Sequence, residues 1–374
     1  MRRLSLVLAV VLVPLVGCST ASGPDSGTGV TEQRRVSVQA DVDELVAAGV
    51  TGVLATVTEN GATITLAGGL ADMAAGTPMP TEPVQHVRVG SVTKPFVSAV
   101  VLQLVAEGKV DLDTPVETYL PGLLRGAGID GAAITVRQVL RHQSGLPNYT
   151  DAEGFEEFQA AATERSVTPQ EIVAFALRAP ADFAPGAELR YSNTNYIVAG
   201  MLVEKVTGAA FPNELNRRIL EPLKLTGTYL PASGDQEIRD PHPRGYGEVD
   251  GVVTDVSRLE PSVPWTAGAL IATGADLNRF FLALLAGEVV APAELALMRE
   301  GLPMGSEAGS DYGLGLMRTT LPCGVDYFGH NGGIDGFFTI AGATEDGRAL
   351  TLVLTKSPDR ETDVVGVLER ALCP

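Results

Sequence analysis

Strand-like runs gather at the two ends of this chain and a long helical stretch separates them, which limits the folds open to it. Val53 to Thr58 and Ala62 to Ala67 are β-rich and flank Glu59-Asn60-Gly61. Asn-Gly between two such runs is a hairpin signal. A helix over Val38 to Ala48 precedes them. Strand signals return at Tyr312 to Arg318, Val325 to Gly329, Phe337 to Ala341 and Ala349 to Thr355, followed by a last helix over 362–372. Between the ends, Thr135-Val-Arg-Gln138 and Thr168-Pro-Gln-Glu171 read as capping boxes, the second with Pro at the first helical position. Ile197, Val198, Met201, Leu202 and Val206 recur at helical spacing before Gly208, and further helices are expected near 211–220, 275–286 and 292–300. Short links between strands favour antiparallel neighbours. The economical solution is an α/β (α+β) fold: one antiparallel sheet built from both chain ends, flanked by helices, with an all-helical lobe inserted over about residues 111–264. The boundary of such a lobe is a natural cleft.

Ser91-Val-Thr-Lys94 follows a short β-like run, Val87 to Gly90, and opens a helix. Phe96, Val97, Val100, Val101, Leu104 and Val105 recur at helical spacing and Gly108 closes the run. Ser91 and Lys94 lie three apart, within side-chain reach on neighbouring turns. A serine at a helix start meets positive partial charge and unpaired N–H donors. A lysine buried beside it loses its proton through desolvation and becomes a base for the hydroxyl. The same tetrad also fits a serine N-cap followed by a solvated lysine.

The N-terminus speaks of export. Met1-Arg2-Arg3 is basic, and the apolar run Leu4 to Val16 is short for a bilayer span, so residues 1–17 read as a signal peptide. The run ends in Leu15-Val16-Gly17-Cys18, which resembles a bacterial lipobox; an incidental cysteine is the other reading. The lipobox implies cleavage before Cys18, a lipid on Cys18 and anchoring on the outer face of the bacterial cell membrane. Residues 18–36 then form the lipidated Cys and a flexible tether rich in small polar residues, and 37–374 the folded domain. Loss of Arg2 and Arg3 takes the net charge from −18 to −20. Such a balance repels nucleic acid, and no nucleic-acid partner is expected. With Cys18 lipidated, Cys323 and Cys373 remain as a pair that export permits to oxidise, and two buried free thiols are the alternative. A bridge closing a loop of about 50 residues stabilises by about 4 kcal/mol in the chain-entropy model. No CxxC or HExxH spacing is present, so neither a metal nor a cofactor is expected.

Tyr191-Ser-Asn193 sits in a polar loop before a helix. Tyr exchanges protons when a nearby cation lowers its pKa, and Asn orients a carbonyl or holds a lysine. His330-Asn331-Gly332-Gly333 lies between two β-like runs, where glycines admit a substrate backbone. Taken singly, the first fits a helix cap and the second a turn. In the order Ser-x-x-Lys, Tyr-x-Asn, His-x-Gly, the three resemble the motifs of penicillin-recognising serine hydrolases. The variant is similar to secreted D-alanyl-D-alanine carboxypeptidases related to class C β-lactamases, and to esterases of that fold. Ile134 to Pro147, Lys109 to Pro115, Tyr312-Gly-Leu-Gly-Leu316, Trp265-Thr-Ala-Gly-Ala269 and Asp276 to Phe280 extend the resemblance over nearly the whole chain beyond the tether.

The resemblance implies a serine hydrolase working through an acyl-enzyme on D-Ala-D-Ala peptides, β-lactams or esters. Ser91 is then the nucleophile, Lys94 and Tyr191 share the proton transfers, Asn193 steadies the site and His330 takes the third-motif place. The N–H groups of Ser91 and Gly333 form the oxyanion hole, with Trp265, Asn331 and Gly332 lining the substrate cleft. Carboxypeptidase relatives carry an Arg directly after Tyr-Gly-Leu-Gly-Leu to hold a terminal carboxylate. Here Met317 stands there and Arg318 follows, on the opposite face if the strand is regular. His142 reads as a capping or packing residue, and Gly126 to Gly131, though it matches GxGxxG, has no leading strand and reads as a loop. The rival from another class is a non-catalytic surface lipoprotein that captures solutes.

Overall fold

Asn60 and Gly61, the two residues linking the first hairpin, both have positive φ, 50° and 76°. That is the left-handed geometry a two-residue type I′ link requires. The chain is described from a computed structural model covering residues 29–304, 309–356 and 363–374. The predicted signal segment, Cys18 and the first part of the tether lie outside the described residues.

The hairpin strands, Gly52–Glu59 and Ala62–Asp72, belong to an antiparallel sheet of nine strands among the described residues. Its order is Leu302–Pro303, Ser310–Tyr312, Met317–Thr320, Asp326–Ile334, Phe337–Thr344, Ala349–Leu354, Gly52–Glu59, Ala62–Asp72 and Thr77–Pro78. The two chain ends meet at the seam where Val53 pairs with Leu354 and Val57 with Leu350. Alternation along these strands feeds two cores. Val53, Ala55, Val57, Leu350, Leu352 and Leu354 pack with Val38 and Val42 of the helix Glu32–Ala47 and Leu368 and Leu372 of the helix Val364–Leu372. Leu54 and Val353 face the larger core, which contains the helices Thr93–Ala106 and Gly274–Leu285.

Both capping boxes are formed, at Thr135 and at Thr168. The helix Asn193–Thr207 ends at Gly208, whose φ of 69° is the left-handed C-cap. The expected disulfide joins Cys323 and Cys373, with Cα atoms 6.1 Å apart. Three local expectations change. The middle segment, expected to be all-helical, also carries two short ribbons, Arg125–Gly126 with Ile129–Asp130 and Tyr246–Val249 with Val252–Asp255. The expected strand 312–318 breaks at a turn in which the Gly313 N–H donates to the Leu316 carbonyl at 2.8 Å. A Cβ on Gly315 there would lie 2.1 Å from Ser98 Oγ, so the turn presses onto the nucleophile-bearing helix. The expected tether, residues 18–36, is cut short, because the helix Glu32–Ala47 takes in residues 32–36 and buries Arg34. His330 to Gly333, which taken singly fit a turn, lie on the strand Asp326–Ile334, in keeping with the place of a third motif on a C-terminal strand.

Candidate active site

Ser91 lies on a 3-10 turn, Gly90–Val92, directly before the helix Thr93–Ala106. Gly90 has φ of 52°, and a Cβ there would lie 2.8 Å from the Gly333 carbonyl oxygen. A Cβ on Gly332 would lie 2.1 Å from the Val89 carbonyl oxygen and 2.8 Å from the Ser91 nitrogen. Glycines on both sides thus let the strand's end close onto the turn, which fixes Ser91 against the sheet edge.

Lys94 reaches back one turn. Its Nζ lies 2.9 Å from Ser91 Oγ, 2.8 Å from Asn193 Oδ1 and 2.7 Å from the Ala267 carbonyl oxygen. The Tyr191 hydroxyl donates to Ser91 Oγ at 2.7 Å. Asn193 opens the helix Asn193–Thr207 and its N–H donates to Asn148 Oδ1 at 2.9 Å. Lys94 is 0 % exposed. Burial holds its amine well below the usual lysine value, favouring the neutral form. A neutral amine has two N–H groups and one lone pair. Asn193 Oδ1 and the Ala267 carbonyl only accept, so they take both N–H groups and leave the lone pair facing the Ser91 hydroxyl. Ser91 can then give its proton to Lys94 while Tyr191 donates to Oγ, an arrangement suited to an activated nucleophile.

Beside this constellation is a cavity of about 180 Å³. Ser91, Asn193 and Gly333 line it, with Tyr149, Phe155, Leu259, Val263, Pro264 and Ile334 as apolar walls and Asp335 as its carboxylate; no Lys or Arg is among the residues lining it. Sequence reading missed Tyr149, on the short 3-10 turn Tyr149–Asp151, Phe155, the first residue of the helix Phe155–Glu164, and Val263, in an irregular segment.

The expected site residues divide accordingly. Ser91, Lys94, Tyr191 and Asn193 converge, and Gly333 reaches the same cavity. His330 is 2 % exposed and faces the wall behind Tyr191, with Nε2 3.1 Å from the Tyr312 hydroxyl and Nδ1 against the Asn331 carbonyl. It therefore does not front the cavity, because strand alternation turns it inward. Trp265 does not line the cavity either. Its φ of 29° turns the ring onto Phe211, with centroids 6.3 Å apart, and its neighbours Pro264, Ala267 and Gly268 form the wall instead. Met317 is 7 % exposed opposite Gly329. Arg318 is paired with the carboxylates of Asp311 and Asp326 and does not line the cavity. Asn331 and Gly332 serve the strand's contacts with His330 and with the Ser91 turn rather than the cavity.

The fold and this constellation define a serine hydrolase. The chain belongs to the Beta-lactamase family, which matches residues 38–372. The crystal structure of a D-stereospecific amidohydrolase from Streptomyces sp. superposes with a TM-score of 0.83 at 36 % identity, covering 90 % of this chain and 98 % of that one. Esterase EstB of Burkholderia gladioli is 29 % identical over 282 residues, 68 % of this chain and 71 % of its own length. The unguisins hydrolase of Aspergillus violaceofuscus is 28 % identical over 319 residues, 76 % of this chain, and the match spans about half, 54 %, of that longer protein.

Proposed function

We propose that this chain hydrolyses amides and esters whose acyl part is an apolar D-amino acid or a short apolar acid, through an acyl-enzyme on Ser91. The observation that carries this reading is the cavity: apolar walls converge on Ser91, and no arginine or lysine lines it to hold a substrate's terminal carboxylate. With Arg318 paired to Asp311 and Asp326, carboxypeptidase action on D-Ala-D-Ala termini is disfavoured within the same chemistry. The similarity to a D-stereospecific amidohydrolase supports the D configuration, and that to an esterase supports ester turnover. In the acylation step Ser91 Oγ attacks the carbonyl and its proton passes to Lys94. The N–H groups of Ser91 and Gly333 receive the oxyanion. Tyr191 and Lys94 return the proton to the leaving amine or alcohol, and water then releases the acid.

A panel of D- and L-phenylalanine p-nitroanilide, acetyl-D-Ala-D-Ala, nitrocefin and p-nitrophenyl butyrate tests the reading. The D-anilide and the short ester turn over, with D preferred to L by more than about tenfold. A Ser91→Ala variant loses all turnover, whereas a solute-capturing lipoprotein would keep its ligand. Absence of both turnover and a fluorophosphonate adduct on Ser91 rejects the enzyme. We also propose that the hydrolase domain begins at the helix Glu32–Ala47, which takes in residues 32–36 of the expected tether, and that Cys18 anchors it outside the cell membrane. The reading rests on the basic start, the apolar run and Leu15 to Cys18. Cys18→Ala should abolish incorporation of a labelled fatty acid.

A further inference from the structure

Behind Tyr191 the buried polar groups form one hydrogen-bonded chain whose direction is set from both ends. At one end, the Ser192 N–H donates to His142 Nδ1 at 3.2 Å, and Asn195 Nδ2 donates to the same atom at 3.1 Å. The Asn195 orientation is itself fixed, because its Oδ1 accepts from the Ser144 hydroxyl at 2.6 Å. Nδ1 of His142 therefore carries no proton, and the neutral ring holds its proton on Nε2. Nε2 lies 3.1 Å from the Tyr312 hydroxyl and donates to its oxygen. At the other end, His330 Nδ1 faces the Asn331 carbonyl, which can only accept, so Nδ1 carries the proton. His330 Nε2 is then an acceptor, and the Tyr312 hydroxyl, 3.1 Å away, donates to it. Each donor meets an acceptor: the Tyr312 hydroxyl also bonds Tyr196, but donating to His330 Nε2 is the arrangement that leaves no ring nitrogen facing a lone pair.

The titratable groups facing the two rings are Lys94, Tyr191, Tyr196 and Tyr312. Burial pushes both imidazoles down, His330 to about 3 and His142 well below the usual 6.5. Both rings are thus neutral, as the hydrogen-bond directions demand. The His142 ring also lies against Tyr191, with centroids 4.3 Å apart.

We propose that His142, Tyr312 and His330 are positioning residues that tie the backbone of Ser192, between Tyr191 and Asn193, to the backbone of Asn331, two residues before Gly333. The link crosses from the helical lobe to the sheet edge. It holds the proton-transfer side and the oxyanion side of the pocket at one spacing, and its catalytic consequence rests on the hydrolase reading above. Tyr312 is the joint, since its single hydroxyl serves both rings.

Two measurements decide this. The chain has four histidines, so ¹⁵N-histidine labelling of the intact protein gives an assignable spectrum, with His86→Gln and His242→Gln variants to sort the signals. Long-range ¹H–¹⁵N correlations should show His142 protonated on Nε2 and His330 on Nδ1, with neither titrating between about pH 5 and about pH 8. The opposite tautomer at either ring, or titration of either in that range, overturns the proposal. This arm needs no substrate, so its failure is separate from failure of the hydrolase reading, and it stands even if a variant does not fold. In the second arm Tyr312→Phe removes one oxygen and keeps the ring. On p-nitrophenyl butyrate, kcat should fall about tenfold with KM changed less than about threefold, the mark of lost transition-state alignment rather than lost binding. A variant with wild-type kcat overturns the positioning role, as does one whose loss lies wholly in KM.

Discussion

Lys94 meets three oxygens, from Ser91, Asn193 and Ala267, none of them a carboxylate. Burial without a counter-charge favours the neutral amine, and so the base. The convergence of Ser91, Lys94, Tyr191 and Asn193 was legible because a short spacing at a helix start and a loop before another helix survive any detail of packing. His330 was legible as a motif member but not in its direction. That depends on the strand register pairing it with Ala341 and on the partner Tyr312, neither of which the linear motif contains. Its burial has a measurable consequence. The folded value near 3 lies below the usual 6.5, so the unfolded chain binds this proton first and stability rises with pH between the two. The contribution from keeping His330 neutral is fully present above pH 6.5 and is lost as pH falls toward 3. Scanning calorimetry across that range should give a shallower dependence of Tm on pH for His330→Gln than for the natural chain. An unchanged slope would mean the ring is not held neutral.

Regular elements were legible where a local device specifies them: the Asn60-Gly61 link, the boxes at Thr135 and Thr168, the stop at Gly208. Ends and breaks set by distant partners were not. The turn that divides 312–318 exists because Gly315 must pass Ser98 and Tyr196, a contact formed only after the helices Thr93–Ala106 and Asn193–Thr207 are in place. The packing of the helix Gly274–Leu285 on the sheet shows the same dependence and can be tested. Asn278 on that helix is fully buried. Its Nδ2 donates to the Thr56 carbonyl at 2.9 Å and to Thr58 Oγ1 at 3.0 Å, and its Oδ1 accepts from the Thr351 hydroxyl at 2.8 Å. One amide thus joins the two strands at the seam between the chain ends. Truncation leaves buried polar groups unpaired, which costs more than the lost bonds themselves. Asn278→Ala should lower the unfolding free energy by about 2 kcal/mol in urea titration. A change within about 0.5 kcal/mol would show that the threonines find other partners.

At the scale of the molecule, the decisive inference was that strands from both ends share one sheet, and it holds because period-two patterns at distant positions have no other economical way to bury both faces. What patterns could not show is how the terminal helices meet. The helix Glu32–Ala47 packs on Val364–Leu372 through Val38, Val42, Leu368 and Leu372, and Arg34 donates through Nη2 to the Cys373 carbonyl at 2.9 Å. Arg370 and Asp41 add an ion pair at 2.6 Å. The Cys323–Cys373 bridge closes the same corner over a sequence separation of 50. It lies on the sheet face served by the smaller core, whereas Ser91 stands against the larger one, so its effects on stability and on catalysis should separate. Cutting the bridge by Cys323→Ser with Cys373→Ser should reduce the unfolding free energy by about 4 kcal/mol if restriction of the unfolded chain is the source of its effect. Turnover at low temperature should be unchanged. Urea titration of the double variant beside the natural chain measures the first and ester hydrolysis the second. A loss below about 1 kcal/mol would mean that the terminal helices already stay associated in the unfolded ensemble. A parallel fall in kcat would mean that strain at this corner reaches Ser91 through the strand Asp326–Ile334.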